Sequence, residues 1–143
     1  MRKFGSNGIP ETSEFIPELD QLFCALCDRP KSRLLPGERA IYDIYRVMGA
    51  VECNGLTWFW AAITTPAPVF RSFETAGASN VAEIIRESRW VAAVLKRGTT
   101  TSGHYQFNPH EDTALSEIEE RLYESFIGLP TKLLAYAKQQ KLL

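Results

Sequence analysis

Residues 52–60 read ECNGLTWFW. An Asn-Gly pair between two strands marks a hairpin turn. The same pair after a helix marks its end, because glycine reaches positive φ without a Cβ clash. The residues upstream decide between the two. Ile41, Ile44, Tyr45, Met48 and Val51 fall at i, i+3, i+4, i+7 and i+10, which is one face of a helix and not a period-two alternation. Asn54-Gly55 is therefore predicted to close a helix, one of the pair taking the αL conformation at C′. Trp58, Phe59 and Trp60 then form the first turns of a second helix folded back on the first. Three consecutive helical positions point in different directions, so at least one of these rings must look away from the local core.

On the N-terminal side, Pro36 suits the N1 position of the first of these two helices. Before it, Ile16, Leu19, Leu22, Phe23 and Leu26 follow helical spacing, with Pro17 tolerable in the first turn and DRPKSR breaking the pattern. Residues 1–12, punctuated by Gly5, Gly8 and Pro10, read as a flexible arm. Residues 13–143 read as a single helical domain.

On the C-terminal side, TTPAP ends the aromatic helix, Pro68 restarts the chain with Val69, Phe70 and Phe73, and Gly77 stops it. Ser79 is a predicted N-cap. An unbroken helix from there to Lys96 would bury Val81, Ile84, Ile85, Ser88, Val91, Ala92 and Leu95. The Ser88 hydroxyl would bond back to a carbonyl one turn earlier. Residues 97–112 form a long polar loop, either a plain surface loop or a binding lid, with Tyr105 and Phe107 to tack it down. Asp112 or Thr113 would cap the sixth helix, which buries Leu115, Ile118, Leu122 and Phe126 and turns Glu117, Glu119, Glu120 and Glu124 outward. Gly128 ends it. Pro130 opens the last helix, with Leu133, Leu134 and Tyr136 inward. The expected architecture is all-α, a compact single-domain bundle of about seven helices with no strand.

The 143 residues suffice for one domain with a real core. Hydrophobic residues at 45% and charged residues at 23% exclude wholesale disorder. A net charge of -1 supplies no global field for nucleic acid or an anionic membrane. The longest apolar stretch, residues 58–63, is far short of the roughly 20 residues that cross a bilayer. The first ten residues lack the apolar run of a secretory signal. A soluble, cytoplasmic protein is expected.

Motifs that carry chemistry are weak. Cys24-Ala25-Leu26-Cys27 is a C-x-x-C, but a second close pair of ligands is missing. Buried, small apolar cysteines are the expectation, and zinc or redox chemistry the alternative. His104 and His110 lack a nucleophile or an orienting acid in a recognisable setting. Arg86 and Arg89 alternate with Glu83 and Glu87, as in ion pairs along a solvated face. No catalytic residue, metal or cofactor is expected, and the chain reads as a non-enzyme.

Two longer stretches, ERAIYDIYRVMGAVECNG and FETAGASNVAEIIRES, flank the aromatic run. Together they resemble the bacterial DNA-mimic proteins, a helical domain otherwise of unknown function. Asn54-Gly55 and the aromatics after it match one part of that family's pattern. Ala76-Gly77-Ala78 and Ala82-Glu83-Ile84-Ile85 match another. Leu56 stands where the family has a second glycine, and Thr57 where it has a phenylalanine. The resemblance implies an all-helical fold, dimers and, in one branch, imitation of DNA by spaced carboxylates. This chain sets 17 acidic residues against 16 basic ones.

The expected function is a non-catalytic protein-interaction module, a regulator or inhibitor of another protein or a partner of its own copy. Asn54, Gly55, Trp58, Phe59 and Trp60 are its candidate contact residues. The alternatives are a regulator that occupies a DNA-binding protein through Glu117, Glu120 and Glu124, and a small metal-dependent enzyme using the polar loop with the cysteines. Direct nucleic-acid binding and a membrane partner are not expected.

Overall fold

The computed structural model describes residues 14–143, so the predicted arm lies outside the described residues. Those residues form eight α-helices and no strand: α1 Pro17–Cys27, α2 Pro36–Asn54, α3 Leu56–Ala62, α4 Pro66–Thr75, α5 Ser79–Glu87, α6 Val91–Leu95, α7 Pro109–Ser125 and α8 Leu129–Gln139. A single 3-10 turn, Lys31–Arg33, joins α1 to α2. The all-α bundle read from the sequence is the fold.

The long helix α2 is the spine, with α1, α3, α4 and α8 all packed on it. Its inner face buries Ile41, Ile44, Val47, Met48 and Val51. Ile41 and Ile44 are wholly removed from solvent, each contributing roughly 1.5–3 kcal/mol. Tyr45, predicted for this face, sits at its edge. It packs tilted against Phe23 of α1 and donates its hydroxyl to Asp20 at 3.0 Å. The α1–α2 connection is tied by Lys31, whose ammonium donates to the carbonyls of Leu26, Cys27 and Arg29 at 2.8–2.9 Å and covers the Tyr42 ring.

One polar contact inside the bundle holds α4 to α2. Asp43, 2% exposed, accepts the Ser72 hydroxyl at 2.7 Å and the Arg39 guanidinium at 3.1 Å. A buried carboxylate is tolerable only when so partnered.

Several boundaries differ from the sequence reading. The helix predicted to run unbroken from Ser79 to Lys96 is two helices, because the chain turns at Ser88–Trp90. There the amides of Ser88 and Arg89 reach back three residues instead of four. The buried Ser88 hydroxyl takes the Ile85 carbonyl at 2.6 Å, so side chain and backbone compete for one acceptor. Ala78, not Ser79, occupies the N-cap of α5 and supplies no side-chain cap. The fourth helix opens at Pro66 instead of Pro68. Asn108, not Asp112 or Thr113, caps α7. Its Oδ1 accepts the Glu111 amide at 2.8 Å, and the Glu111 carboxylate accepts the Asn108 amide at 2.9 Å, a capping box. The signal was present in the sequence as N-P-H-E, with proline at N1.

Residues 97–108 are not a loose loop. Thr100 and His104 pair through backbone, Gly103 turns the chain at φ +85°, and Thr99 bridges Tyr105. Arg97 grips the Glu111 carboxylate with both guanidinium arms at 2.7 and 2.9 Å, and Gln106 closes the base onto the Arg97 carbonyl. Phe107 tacks the segment edge-on to Trp90, as predicted, while Tyr105 stays 40% exposed.

Candidate interaction surface at the turn between α2 and α3

Gly55 joins the two helices in 54–55 fashion predicted from the Asn-Gly pair, and no ladder pairing flanks residue 54. Its conformation is φ +76°, ψ 179°. The positive φ was foreseen, but the ψ value places it outside αL, in a region that only glycine enters readily. The Gly55 amide still reaches the Val51 carbonyl at 2.7 Å, so α2 keeps its last bond. The Tyr123 hydroxyl of α7 donates to that same carbonyl at 3.2 Å.

The next amide, that of Leu56, starts α3 and has no partner within its own helix. Glu119 of α7 supplies one, its Oε2 standing 2.8 Å away. A carboxylate at this end also suits the positive pole of the helix. A Cβ at residue 55 would meet Glu119 Oε2 at 2.5 Å, so the carboxylate would have to swing away from the Leu56 amide. Glu119 therefore does not decorate the outer side of α7 as predicted. It turns inward to serve a helix 63 residues away along the chain, a role for which the sequence around Glu119 carries no signal.

The three aromatics diverge as helical geometry requires. Phe59 is wholly buried, stacked on Phe70 and edge-on to Trp60. It belongs to the core and offers nothing to a partner, which removes it from the predicted contact set. Trp60 is half-buried and donates its indole N–H to Ser88 Oγ at 2.8 Å, locking α3 to the α5–α6 turn. Trp58 is likewise half-buried and packed against the core, with the Arg46 guanidinium 5.4 Å from its ring centre. Asn54 is exposed and bonds back to the Ala50 carbonyl at 3.1 Å. Gly55 acts through the backbone. Of the five predicted contact residues, Asn54 is exposed, Trp58 and Trp60 are half-buried, Phe59 is in the core and Gly55 acts through its backbone.

Arg46 is the member of this surface that sequence reasoning missed. Its place one turn from the apolar face of α2 carried no signal, because only the return of α3 sets an indole beside it. Beyond Arg46, the solvent side of α2 carries Gly49, Ala50 and Cys53, all small. A Cβ added at Gly49 would meet nothing within 4 Å.

The other predicted sites are elsewhere. Glu117, Glu120 and Glu124 are exposed on α7 and form no ion pair among the described residues. Arg86 bonds Glu74 at 2.6 Å and covers the Phe70 ring, so it is engaged. Arg89 lines an open depression of about 790 Å³ between α5 and α7 with Glu83, Arg86, Glu87, Trp90 and Ile118, a lining in which two acids balance two bases. His104 and His110 are exposed. Cys24, Cys27 and Cys53 are free and exposed, against the prediction that the C-x-x-C pair is buried. Leu19 and Leu26 take the inner face of α1 and leave the thiols outside.

No protein-family model, curated protein or solved structure matches the chain. No described helix is long and apolar enough to cross a membrane.

Proposed function

We propose that this protein is a non-catalytic protein-interaction module whose contact surface centres on the Arg46–Trp58 pair, flanked by Asn54 and the small residues of α2. The observation that carries the reading is the placement of Trp58. The seven-residue helix that buries Phe59 leaves both indoles half-covered; that of Trp60 donates to Ser88, and that of Trp58 has a guanidinium laid against it. Tryptophan and arginine are, with tyrosine, the residue types enriched among interface anchors. Gly49, Ala50 and Cys53 let another backbone approach α2 closely beside them. The partner is another protein or a second copy of this chain.

Trp58→Ala and Arg46→Ala test the reading. Expected is loss of self-association by light scattering, or of partner capture, with helical circular dichroism unchanged. Unaltered association in both variants would end it.

A second reading rests on Glu117, Glu120 and Glu124. They fall at i, i+3 and i+7, so they line one flank of α7 over about 10 Å, with no described cation paired to them. In this reading the protein is a regulator that occupies a DNA-binding protein, in the manner of the DNA mimics it resembles. Binding would then weaken with added salt and disappear when Glu117 and Glu120 are both changed to lysine. Salt-independent binding would remove it.

A further inference from the structure

Cys24 and Cys27 are both exposed, and neither is in a disulfide. Cysteine is among the most consistently buried residue types, so two outward thiols one turn apart depart from the ordinary use of the residue. The helix α1 is regular through Cys27. Residues three apart on it are separated by about 4.5 Å of rise, with Cβ atoms about 5–6 Å apart. Two sulfurs that share one metal ion, each at about 2.3 Å, stand at most about 4.6 Å apart, which this spacing allows.

Among the described residues no group of three or more His, Cys, Asp or Glu side chains could hold a metal ion. The pair therefore offers two soft ligands and no more. Zinc takes four. Thiolate ligands select soft ions such as Cu(I), which accepts two.

We propose that Cys24 and Cys27 form a surface site for one soft monovalent metal ion, Cu(I), held by two thiolates of a single chain. Binding replaces the two thiol protons, which pass to solvent, and makes two metal–sulfur bonds without a change of oxidation state.

The test uses the full chain, reduced with a non-thiol reductant and kept free of oxygen. Cu(I) is competed against a chromogenic Cu(I) chelator, with Zn²⁺ titrated in parallel and mass followed by light scattering. Expected is one Cu(I) per chain, lost in Cys24→Ser and in Cys27→Ser and kept in Cys53→Ser. Helical circular dichroism should be the same in all, since these thiols are at the surface. Alkylation of the unsubstituted protein gives a second measurement, in which Cu(I) shields Cys24 and Cys27 but not Cys53. Copper retained by either serine variant, equal loss in Cys53→Ser, or alkylation of Cys24 and Cys27 despite copper would overturn the site. So would zinc bound at one ion per two chains with dimer formation, which is a four-thiolate bridge between copies.

Discussion

The Glu119 carboxylate and the Leu56 amide are 63 residues apart along the chain and 2.8 Å apart in space. This contact, and the glycine beneath it, make the turn between α2 and α3 a rigid corner instead of a loose connection. The placement of all three aromatic rings follows from it.

Gly55→Ala is the sharpest test of that corner. The substitution forces a Cβ onto a φ of +76° and into Glu119 Oε2 at 2.5 Å. A loss of about 2–4 kcal/mol in urea unfolding is expected. In a Glu119→Ala background the steric share disappears and only the backbone strain remains, so the two changes should be clearly non-additive. Simple additivity would show that the two residues do not meet.

Trp60 and Ser88 should behave as a second coupled pair. Ser88 is wholly buried and accepts the indole N–H while donating to Ile85. Ser88→Ala leaves that N–H without its partner, and roughly 1–3 kcal/mol should be lost. With Trp60→Phe already present, the same change should cost much less.

Ser72→Ala removes one of the groups that make the burial of Asp43 tolerable. Arg39 remains, but it is 40% exposed and approaches from the rim. Unfolding free energy should fall by about 1–3 kcal/mol. Asp43→Ala should loosen the contact between α2 and α4, with faster amide exchange in α4 than in α7.

Stability should depend on Tyr45 at high pH. Burial first, and then the hydrogen bond to Asp20, push its phenol from 10.0 up to about 12. The folded state thus holds the proton more tightly than the unfolded chain. The resulting stabilisation is fully present below pH 10 and is lost as pH rises towards about 12. Thermal melts across that range should fall for the natural protein, with a visibly flatter profile for Tyr45→Phe. Equal slopes would contradict the assignment.

Glu38 should act in the opposite direction. The Arg29 guanidinium, then the Leu35 amide, hold its carboxyl below the ordinary 4.5. Its contribution is present above the unfolded value and is lost as pH falls through the lower folded one. Glu38→Gln should therefore cost stability near neutral pH and reduce the fall in melting temperature on acidification. An identical acid profile in the variant would argue against this contact.

Much of the framework could be read from residue order. The apolar spacing of Ile41, Ile44, Met48 and Val51 and the stop at Asn54-Gly55 are local signals, and both proved sound. So did the inward face of α7, with Leu115, Ile118 and Leu122. The misreadings came where two local preferences competed. Ser88 suited the buried stripe of one long helix, yet its hydroxyl bonds nearby carbonyl and indole groups and the helix breaks there. At α7 three residue types able to cap stood within six positions, and Asn108 prevailed because Glu111 could answer it.

Residue order alone determined that this protein is a helical bundle, that the Asn54-Gly55 pair stops one helix, and that three consecutive rings must diverge. Each follows from backbone sterics and the 3.6-residue period, which act over a few positions. Only the tertiary structure decided that Glu119 caps α3, that Phe59 is the wholly buried ring of the three, and that Cys24 and Cys27 are exposed. Those outcomes depend on which helix packs against which face, and a hydrogen bond spanning 63 residues has no local trace until the bundle closes around it.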